Sequence, residues 1–188
     1  MRKKYSTNFG YHRRYLYLCT GFNLHIMKEY ELNVRVKVLM PTELEKSDAE
    51  LVEAAKQATE TSYSPYSHFQ VGAALRMESG EIIKGSNQEN ASYPVSCCAE
   101  RTALFWAGAN RPGQAVRAIA IAAQSKGRFT DDVTGPCGVC RQALLEVEHR
   151  QGSPIRLLLY SESGVHITES IQEIVPFSFY AESMRSEE

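Results

Sequence analysis

The sequence predicts an α/β fold, a three-layer α/β/α domain around a mixed sheet of about five strands. Three observations carry that expectation. Short runs rich in β-branched and small apolar residues recur at 69–77, 81–85, 116–123, 155–160 and 165–168. Stretches with apolar residues three and four apart lie before and between them, around 48–58, 99–107 and 137–149. At 188 residues and 43% apolar composition the chain can bury one substantial core, and no repeat or low-complexity tract interrupts it.

Taken in order from residue 40, Ser47-Asp48-Ala49-Glu50 has the form of a capping box and should open the first helix. Leu51, Val52, Ala54, Ala55 and Ala58 give that helix its apolar face. Tyr63-Ser64-Pro65 ends it, because proline cannot continue a helix and restricts the residue before it. The run 69–77 is a strand, Glu78-Ser79-Gly80 a turn, and 81–85 the returning arm of a hairpin. Gly72, Ala73 and Ala74 are small enough that a helix is expected to pack closely over the first arm.

A polar loop, Ser86-Asn87-Gln88-Glu89-Asn90, leads through Tyr93-Pro94 to Ser96-Cys97-Cys98. The next helix is expected over 99–107, with Gly108 as its stop. A buried strand at 116–123 is followed by a loop over 124–135. Pro136 stands where a helix tolerates proline, at its start, and the helix runs through Ala143, Leu144, Leu145 and Val147 to about His149. Strands at 155–160 and 165–168 flank Ser163-Gly164. A short helix near 170–174 precedes Pro176-Phe177-Ser178-Phe179 and a polar tail.

Charge divides the chain in two. Residues 1–39 hold eight Lys/Arg and two Asp/Glu, which leaves 13 basic and 20 acidic residues beyond them. An acidic main domain argues against a nucleic-acid partner, since phosphate binding needs clustered Lys and Arg. A small uncharged substrate fits better. No apolar run is long enough to span a bilayer, so no membrane partner is expected. Five cysteines, an odd number with three at metal spacing, point to a reducing cytoplasmic setting rather than a disulfide framework.

The domain division is therefore 1–39, a basic N-terminal extension, and 40–188, a catalytic domain. Three readings of the extension stand. It is a disordered or non-native appendage, with Met40-Pro41-Thr42 as the natural start; or a targeting peptide, basic and acid-poor but with only a short apolar piece at 15–22; or an ordered addition. The last rests on Leu32, Val34, Val36 and Val38 alternating with Asn33, Arg35 and Lys37 as a half-buried strand would.

The chemistry lies in two stretches, Ser96-Cys97-Cys98-Ala99-Glu100-Arg101 and Thr134-Gly135-Pro136-Cys137-Gly138-Val139-Cys140-Arg141. Cys98, Cys137 and Cys140 supply three thiolates, and zinc with three protein ligands keeps a fourth place for water. Both stretches sit at expected helix starts, where unpaired N–H groups and the helix dipole favour anions. Each part has a plainer meaning alone. Cys137 and Cys140 could be a redox pair, Cys98 an inert buried cysteine, and Glu100 an acid favoured by a first helical turn. Together, Cys98-x-Glu100 ahead of Pro136-Cys137-x-x-Cys140 matches the known signature of zinc enzymes that deaminate nucleobases. Three thiolates also leave the metal site with excess negative charge, and Arg101 is the nearest candidate in sequence to offset it; on position alone it is equally a solvated arginine.

Four longer motifs then carry a resemblance: Tyr63-Ser64-Pro65-Tyr66-Ser67-His68-Phe69-Gln70-Val71-Gly72-Ala73-Ala74-Leu75, Asn87-Gln88-Glu89-Asn90-Ala91-Ser92-Tyr93-Pro94, Cys98-Ala99-Glu100-Arg101-Thr102-Ala103-Leu104 and Gly135-Pro136-Cys137-Gly138-Val139-Cys140-Arg141-Gln142. From about Thr42 to its end the chain resembles the short-chain, homotetrameric cytidine deaminases, and the fold is expected to be cytidine deaminase-like. The resemblance implies zinc-dependent hydrolytic deamination of cytidine and deoxycytidine in pyrimidine salvage, with one Zn2+ per chain and a homotetramer. It implies Cys98, Cys137 and Cys140 as metal ligands, with Arg101 offsetting their charge. It implies Glu100 as the catalytic residue that shuttles a proton to N3 and then to the leaving ammonia.

For substrate binding, it implies Asn87 and Glu89 on a ribose hydroxyl, Phe69 against the base, and Ala91 and Tyr93 in the same binding stretch. Asn87 and Glu89 are two apart, so extended backbone points both to one side, although a plain polar loop would look the same. Phe69 would also serve as simple core packing with Val71, Ala73 and Leu75. Tyr93 and Phe179 resemble residues presented to a neighbouring subunit's site. His68, His149 and His166 have no ligand spacing. Two alternatives keep the zinc: deamination of a modified nucleoside or nucleoside antibiotic, and a non-catalytic zinc-stabilised binding domain. The second needs a fourth protein ligand, for which the sequence offers no well-spaced Cys or His.

Overall fold

The computed structural model describes residues 31–184. Residues 1–30, which include Cys19 and the apolar piece at 15–22, lie outside the described residues. The chain separates into Met1–Glu31 and Leu32–Glu188, and every element below belongs to the second unit.

Seven strands and three α-helices are laid out in the order β1 (Lys37–Leu39), α1 (Lys46–Ala58), β2 (Phe69–Met77), β3 (Ile82–Ser86), α2 (Ala99–Asn110), β4 (Val116–Ser125), β5 (Arg128–Phe129), α3 (Gly138–Gln151), β6 (Arg156–Ser161) and β7 (Gly164–Thr168). The sheet runs β1-β7-β6-β4-β2-β3, with β5 paired to β4. Only β4 and β6 are parallel, joined across α3; the remaining pairs are antiparallel, so the sheet is mixed as expected.

Alternation along the strands sorts side chains onto two faces. Ala74, Ala118, Ala120, Ala122, Leu158, Val165 and Ile167 pack with Leu51, Val52 and Ala55 of α1. Ala73, Leu75, Met77, Ile119, Ile121 and Leu157 pack on the other side with Ala103 and Leu104 of α2 and Leu144 and Leu145 of α3. These are the three layers. Glycines set how close two of the helices come. A Cβ at Gly72 would stand 2.1 Å from the Ala55 carbonyl oxygen of α1, and one at Gly85 would stand 2.6 Å from both Ala103 N and Ala99 O of α2. Close helix packing over the first hairpin, expected from the small residues, is what these approaches describe.

The structure differs from the sequence reading in four places. There are seven strands rather than about five, because the three-residue β1 adds to the edge of β7 and the two-residue β5 forms inside the expected 124–135 loop. β5 is too short to leave a periodic pattern, and β1 takes up only the end of the alternating 32–38 stretch that one reading of the extension took for a strand. The capping box at Ser47 is not used: α1 begins at Lys46 with Glu45 as N-cap and no side-chain cap bond. Asp48 is buried and takes a two-pronged ion pair from Arg156 of β6, at 3.0 Å to each oxygen.

Gly108 does not stop α2, which continues to Asn110 with Arg111 as C-cap. Nothing stands within 4 Å of a Cβ built there, so glycine rides on an open helix surface. Pro136 precedes α3 rather than starting it, since the N-cap is Cys137.

Candidate active site

Cys98 and Cys137 hold the same station on two helices. Cys98 is the N-cap of α2 and its carbonyl accepts from Thr102 N; Cys137 is the N-cap of α3 and its carbonyl accepts from Arg141 N. Packing α2 and α3 on one face of the sheet brings their first turns together. Cys98 Sγ lies 3.8 Å from Cys137 Sγ, and Cys137 Sγ lies 3.5 Å from Cys140 Sγ. All three sulfurs lie within 4.8 Å of one another, while Cys97 stands outside the cluster. A tetrahedral zinc with Zn–S bonds of about 2.3 Å separates its sulfurs by about 3.8 Å, so this donor set fits the ion. Soft thiolates in that geometry suit zinc over harder-ligand metals.

Electrostatics at the cluster are uneven. A hydrogen bond from Cys140 is the largest influence pulling the Cys98 thiol down, to about 5, with Arg101 assisting against burial. Cys140, fully buried, is driven up by the bond it gives to Cys98, by burial and by Glu100. Arg101 Nη2 lies 3.9 Å from Cys98 Sγ and donates to Ser96 O at 3.2 Å, while its Nε is buried without a partner. Glu100 follows in the first turn of α2, only 4% exposed. Burial pushes its carboxyl up, and the Cys98 thiolate adds to the shift. A carboxyl held so takes up a proton more readily than an exposed one.

Asn87 and Glu89 reach this region through backbone pairing. The peptide around Gln88 lies between Tyr63 and Cys97: Tyr63 N donates to Asn87 O, Glu89 N to Tyr63 O, and Gln88 and Cys97 exchange two bonds. The sugar-side candidates are thereby stitched next to the first metal stretch. Phe69, half-buried at the start of β2, gives its carbonyl to Asn87 Nδ2 at 2.9 Å. Ala91 is exposed on the loop beyond Glu89. Tyr93 is 62% exposed, its ring 6.3 Å from that of Tyr66. Phe179 is 55% exposed, and its carbonyl accepts from Gln142 Nε2, which places it beside the early part of α3.

Several residues with a part in this arrangement carried no sequence signal of it. Ser62 and Ser67 bond Asn87 and Glu89 from 25 and 22 residues away. Arg141 braces the second metal stretch, donating to Pro136 O and to Ile174 O. The serines flanking Pro65 announced a turn and nothing about its partners. A cavity of about 670 Å3, floored by Met77, Leu104 and Val116 and rimmed by Arg111 and Arg150, lies at the far ends of α2 and α3 from the cysteines.

The family model described as the cytidine and deoxycytidylate deaminase zinc-binding region matches residues 45–152. A cytidine deaminase of Halalkalibacterium halodurans is 42% identical over 134 residues, covering 71% of this chain and 95% of that protein. The crystal structure of a cytidine deaminase from Burkholderia pseudomallei superposes with a TM-score of 0.59 at 39% identity, covering 69% of this chain and 97% of that one. A blasticidin-S deaminase of Bacillus cereus is more distant, 28% identical over 142 residues, covering 72% of this chain and 94% of that protein.

Proposed function

This chain belongs to the cytidine and deoxycytidylate deaminase family, and from that premise we propose that it hydrolyses cytidine and deoxycytidine to uridine and deoxyuridine with release of ammonia. The observation that carries this reading is one arrangement: three sulfurs at zinc spacing across two helix starts, with the buried carboxyl of Glu100 beside them.

Cys98, Cys137 and Cys140 would hold one Zn2+ per chain. When bound, zinc supplies Lewis acidity that makes a water nucleophilic near neutral pH. The protein's own groups do the rest. Glu100 accepts a proton from the attacking water and delivers it to N3 of the base, then takes a second proton from the new hydroxyl at C4 and passes it to the departing amine as the carbonyl forms. Its raised carboxyl suits both halves of that transfer. Arg101 lies against Cys98 and offsets thiolate charge that would otherwise make water harder to ionise. Asn87 and Glu89 take a ribose hydroxyl, and Phe69, with Ala91 and Tyr93 nearby, shapes the pocket for the base.

The enzyme is proposed to act as a homotetramer in cytosolic pyrimidine salvage. Exposed Tyr93, Val95, Phe105, Trp106, Val139, Phe177 and Phe179 on and around the α2 and α3 side support assembly, because soluble monomers rarely leave so much apolar surface in one region. Tyr93 and Phe179 would then face a neighbouring subunit's site. Light scattering on the zinc-loaded protein checks the assembly; a monomer would remove it.

The decisive experiment is a cytidine-to-uridine assay on wild type and Glu100→Gln, with zinc measured in both. Wild type should turn over cytidine, and Glu100→Gln should keep its zinc and lose activity by about 100- to 10,000-fold. Comparable rates in the two proteins would remove the role given to Glu100. A zinc-loaded wild type that is inert on cytidine and deoxycytidine but active on a nucleoside antibiotic would move the substrate, and inertness on all of them would leave a binding domain.

A further inference from the structure

The turn that precedes β2 is built around the Glu89 carboxylate. Tyr66 N and Ser67 N donate to Glu89 Oε2 at 2.9 and 3.2 Å, and Ser67 Oγ donates to Glu89 Oε1. His68 closes the turn, its N–H on Ser64 O at 3.1 Å, with a φ of 54° that a non-glycine residue adopts only under constraint. The same few residues fix Asn87. Its Oδ1 accepts from Ser62 Oγ at 2.6 Å and Val71 N at 2.8 Å, and its Nδ2 donates to Phe69 O. With Oδ1 claimed by two donors the amide cannot flip, and one N–H of Nδ2 stays uncommitted.

These contacts fix a polarity. Asn87 is left as a donor and Glu89 as an ionised acceptor, the Ser67 hydroxyl being the largest influence holding the Glu89 carboxyl below its ordinary range. A sugar hydroxyl is the group that answers both, giving one proton and accepting another. Ser67 is the only side chain among the described residues that hydrogen-bonds to Glu89. It also accepts from Phe69 N at 3.0 Å, so the candidate base contact and the candidate sugar contact meet at one hydroxyl.

We propose that Ser67 is a positioning residue for sugar-hydroxyl recognition: its hydroxyl orients the Glu89 carboxylate, so that binding energy from the ribose is realised only with that carboxylate in register. The proposal rests on the reading of Asn87 and Glu89 as sugar contacts. Ser67 is exposed and touches no core residue, so its removal acts on the loop rather than on the fold.

The test is steady-state kinetics of wild type, Ser67→Ala and Ser67→Thr, zinc-loaded, on cytidine and on 2′,3′-dideoxycytidine, which lacks the 2′- and 3′-hydroxyls and keeps the 5′-hydroxyl. Wild type should favour cytidine. Ser67→Ala should raise KM for cytidine about tenfold, the scale of one hydrogen bond to a charged group. Its kcat on cytidine, and its kcat/KM on the dideoxy compound, should each stay within about twofold of wild type. Ser67→Thr keeps the hydroxyl and should keep the preference. Equal losses on both substrates would mean a structural role, and an unchanged cytidine KM would mean none; either overturns the proposal for Ser67 alone. A wild type that does not distinguish the two substrates would instead remove the sugar-contact reading itself, and the proposal with it. Should Ser67→Ala not fold, Ser67→Gly removes the same hydroxyl and carries the same comparison.

Discussion

Cys98 and Cys137, 39 residues apart, are the N-caps of two different helices, and their sulfurs stand 3.8 Å from each other. Each first turn directs unpaired N–H groups and a positive dipole end toward the cluster, so thiolates are stabilised from two directions at once. The sheet face that packs α2 and α3 side by side decides where the chemistry sits. Four predictions follow from that architecture.

Removing one sulfur should unload the metal without unfolding the chain. Cys137 is exposed, so Cys137→Ser creates no core defect. Elemental analysis after dialysis against a mild chelator should find the variant stripped of zinc where wild type retains it, with the far-ultraviolet circular dichroism of both alike. Retention of zinc by the variant would show that Cys137 is not a ligand.

Gly85→Ala should damage stability and turnover together. The new methyl would meet Ala99 O and Ala103 N at 2.6 Å, neither of which is a flexible side-chain tip. Overpacking of this kind costs about 1–3 kcal/mol. Because Ala99 sits between Cys98 and Glu100, displacement of α2 also displaces the site. Urea unfolding read alongside activity of the still-folded fraction checks both effects. Loss of stability with full specific activity would mean that α2 absorbs the methyl without moving the cysteines.

Glu148 should prove to be a structural anchor. It is buried, and its carboxylate accepts from Ile155 N, Ile171 N, Gln172 N and Ser170 Oγ, joining α3 to β6 and to the 3-10 turn Ile171–Ile174. Glu148→Gln replaces an acceptor-only group with one that presents donors to donors, at a cost of about 1–3 kcal/mol. Amide exchange at Ile155 and Ile171 should accelerate in the variant. Unchanged exchange at both would show that other contacts hold that segment.

The ion pair between β1 and the body should show in the acid limb of stability. Lys37 Nζ lies 2.9 Å from Glu169 Oε1, and Arg156 Nε donates to Glu169 Oε2 at 2.9 Å. The Lys37 hydrogen bond is the first cause holding the Glu169 carboxyl below the ordinary carboxylate range, with Arg156 helping against burial. A depressed folded value means stability present above the unfolded value and lost as pH falls through the folded one. Both partners are largely exposed, so the pair is worth under about 1 kcal/mol. Lys37→Met should therefore lower the urea midpoint slightly at pH 7, with the difference from wild type closing as the solution is taken well below pH 4.5. A difference that grows on acidification would reverse the sign of this argument.

The main elements were legible because their signals are local. Alternation at Phe69–Met77 and the three- and four-residue spacing of Leu51, Val52 and Ala55 are visible within a dozen residues. Gly72 and the alanines beside it announced a close helix, and Ala55 and Ala58 of α1 are what lies there. Signals failed where partners are distant in sequence. No local pattern marked the ion pair of Asp48, whose partner Arg156 is remote in sequence. The Ser62–Asn87 and Ser67–Glu89 contacts left no trace for the same reason. β5 was missed since two residues cannot show a period; the alternation over 32–38 was one reading of the extension, but only Lys37–Leu39 pair as β1, on an edge that the assembled sheet offers.

By itself the sequence picked out Cys98, Cys137 and Cys140, which meet in one cluster, with Glu100 two residues past the first, and the order of most strands and helices that carry them. Tertiary structure decided the rest: that α2 and α3 share a face of the sheet, that Glu100 is buried there, and that Asn87 and Glu89 are clamped by a turn more than twenty residues upstream. The physical reason is range. Residue spacing encodes which side chains point the same way along one element, whereas distances of a few ångströms between elements are set by packing, where a glycine, a buried ion pair or a single hydroxyl fixes what no local pattern records.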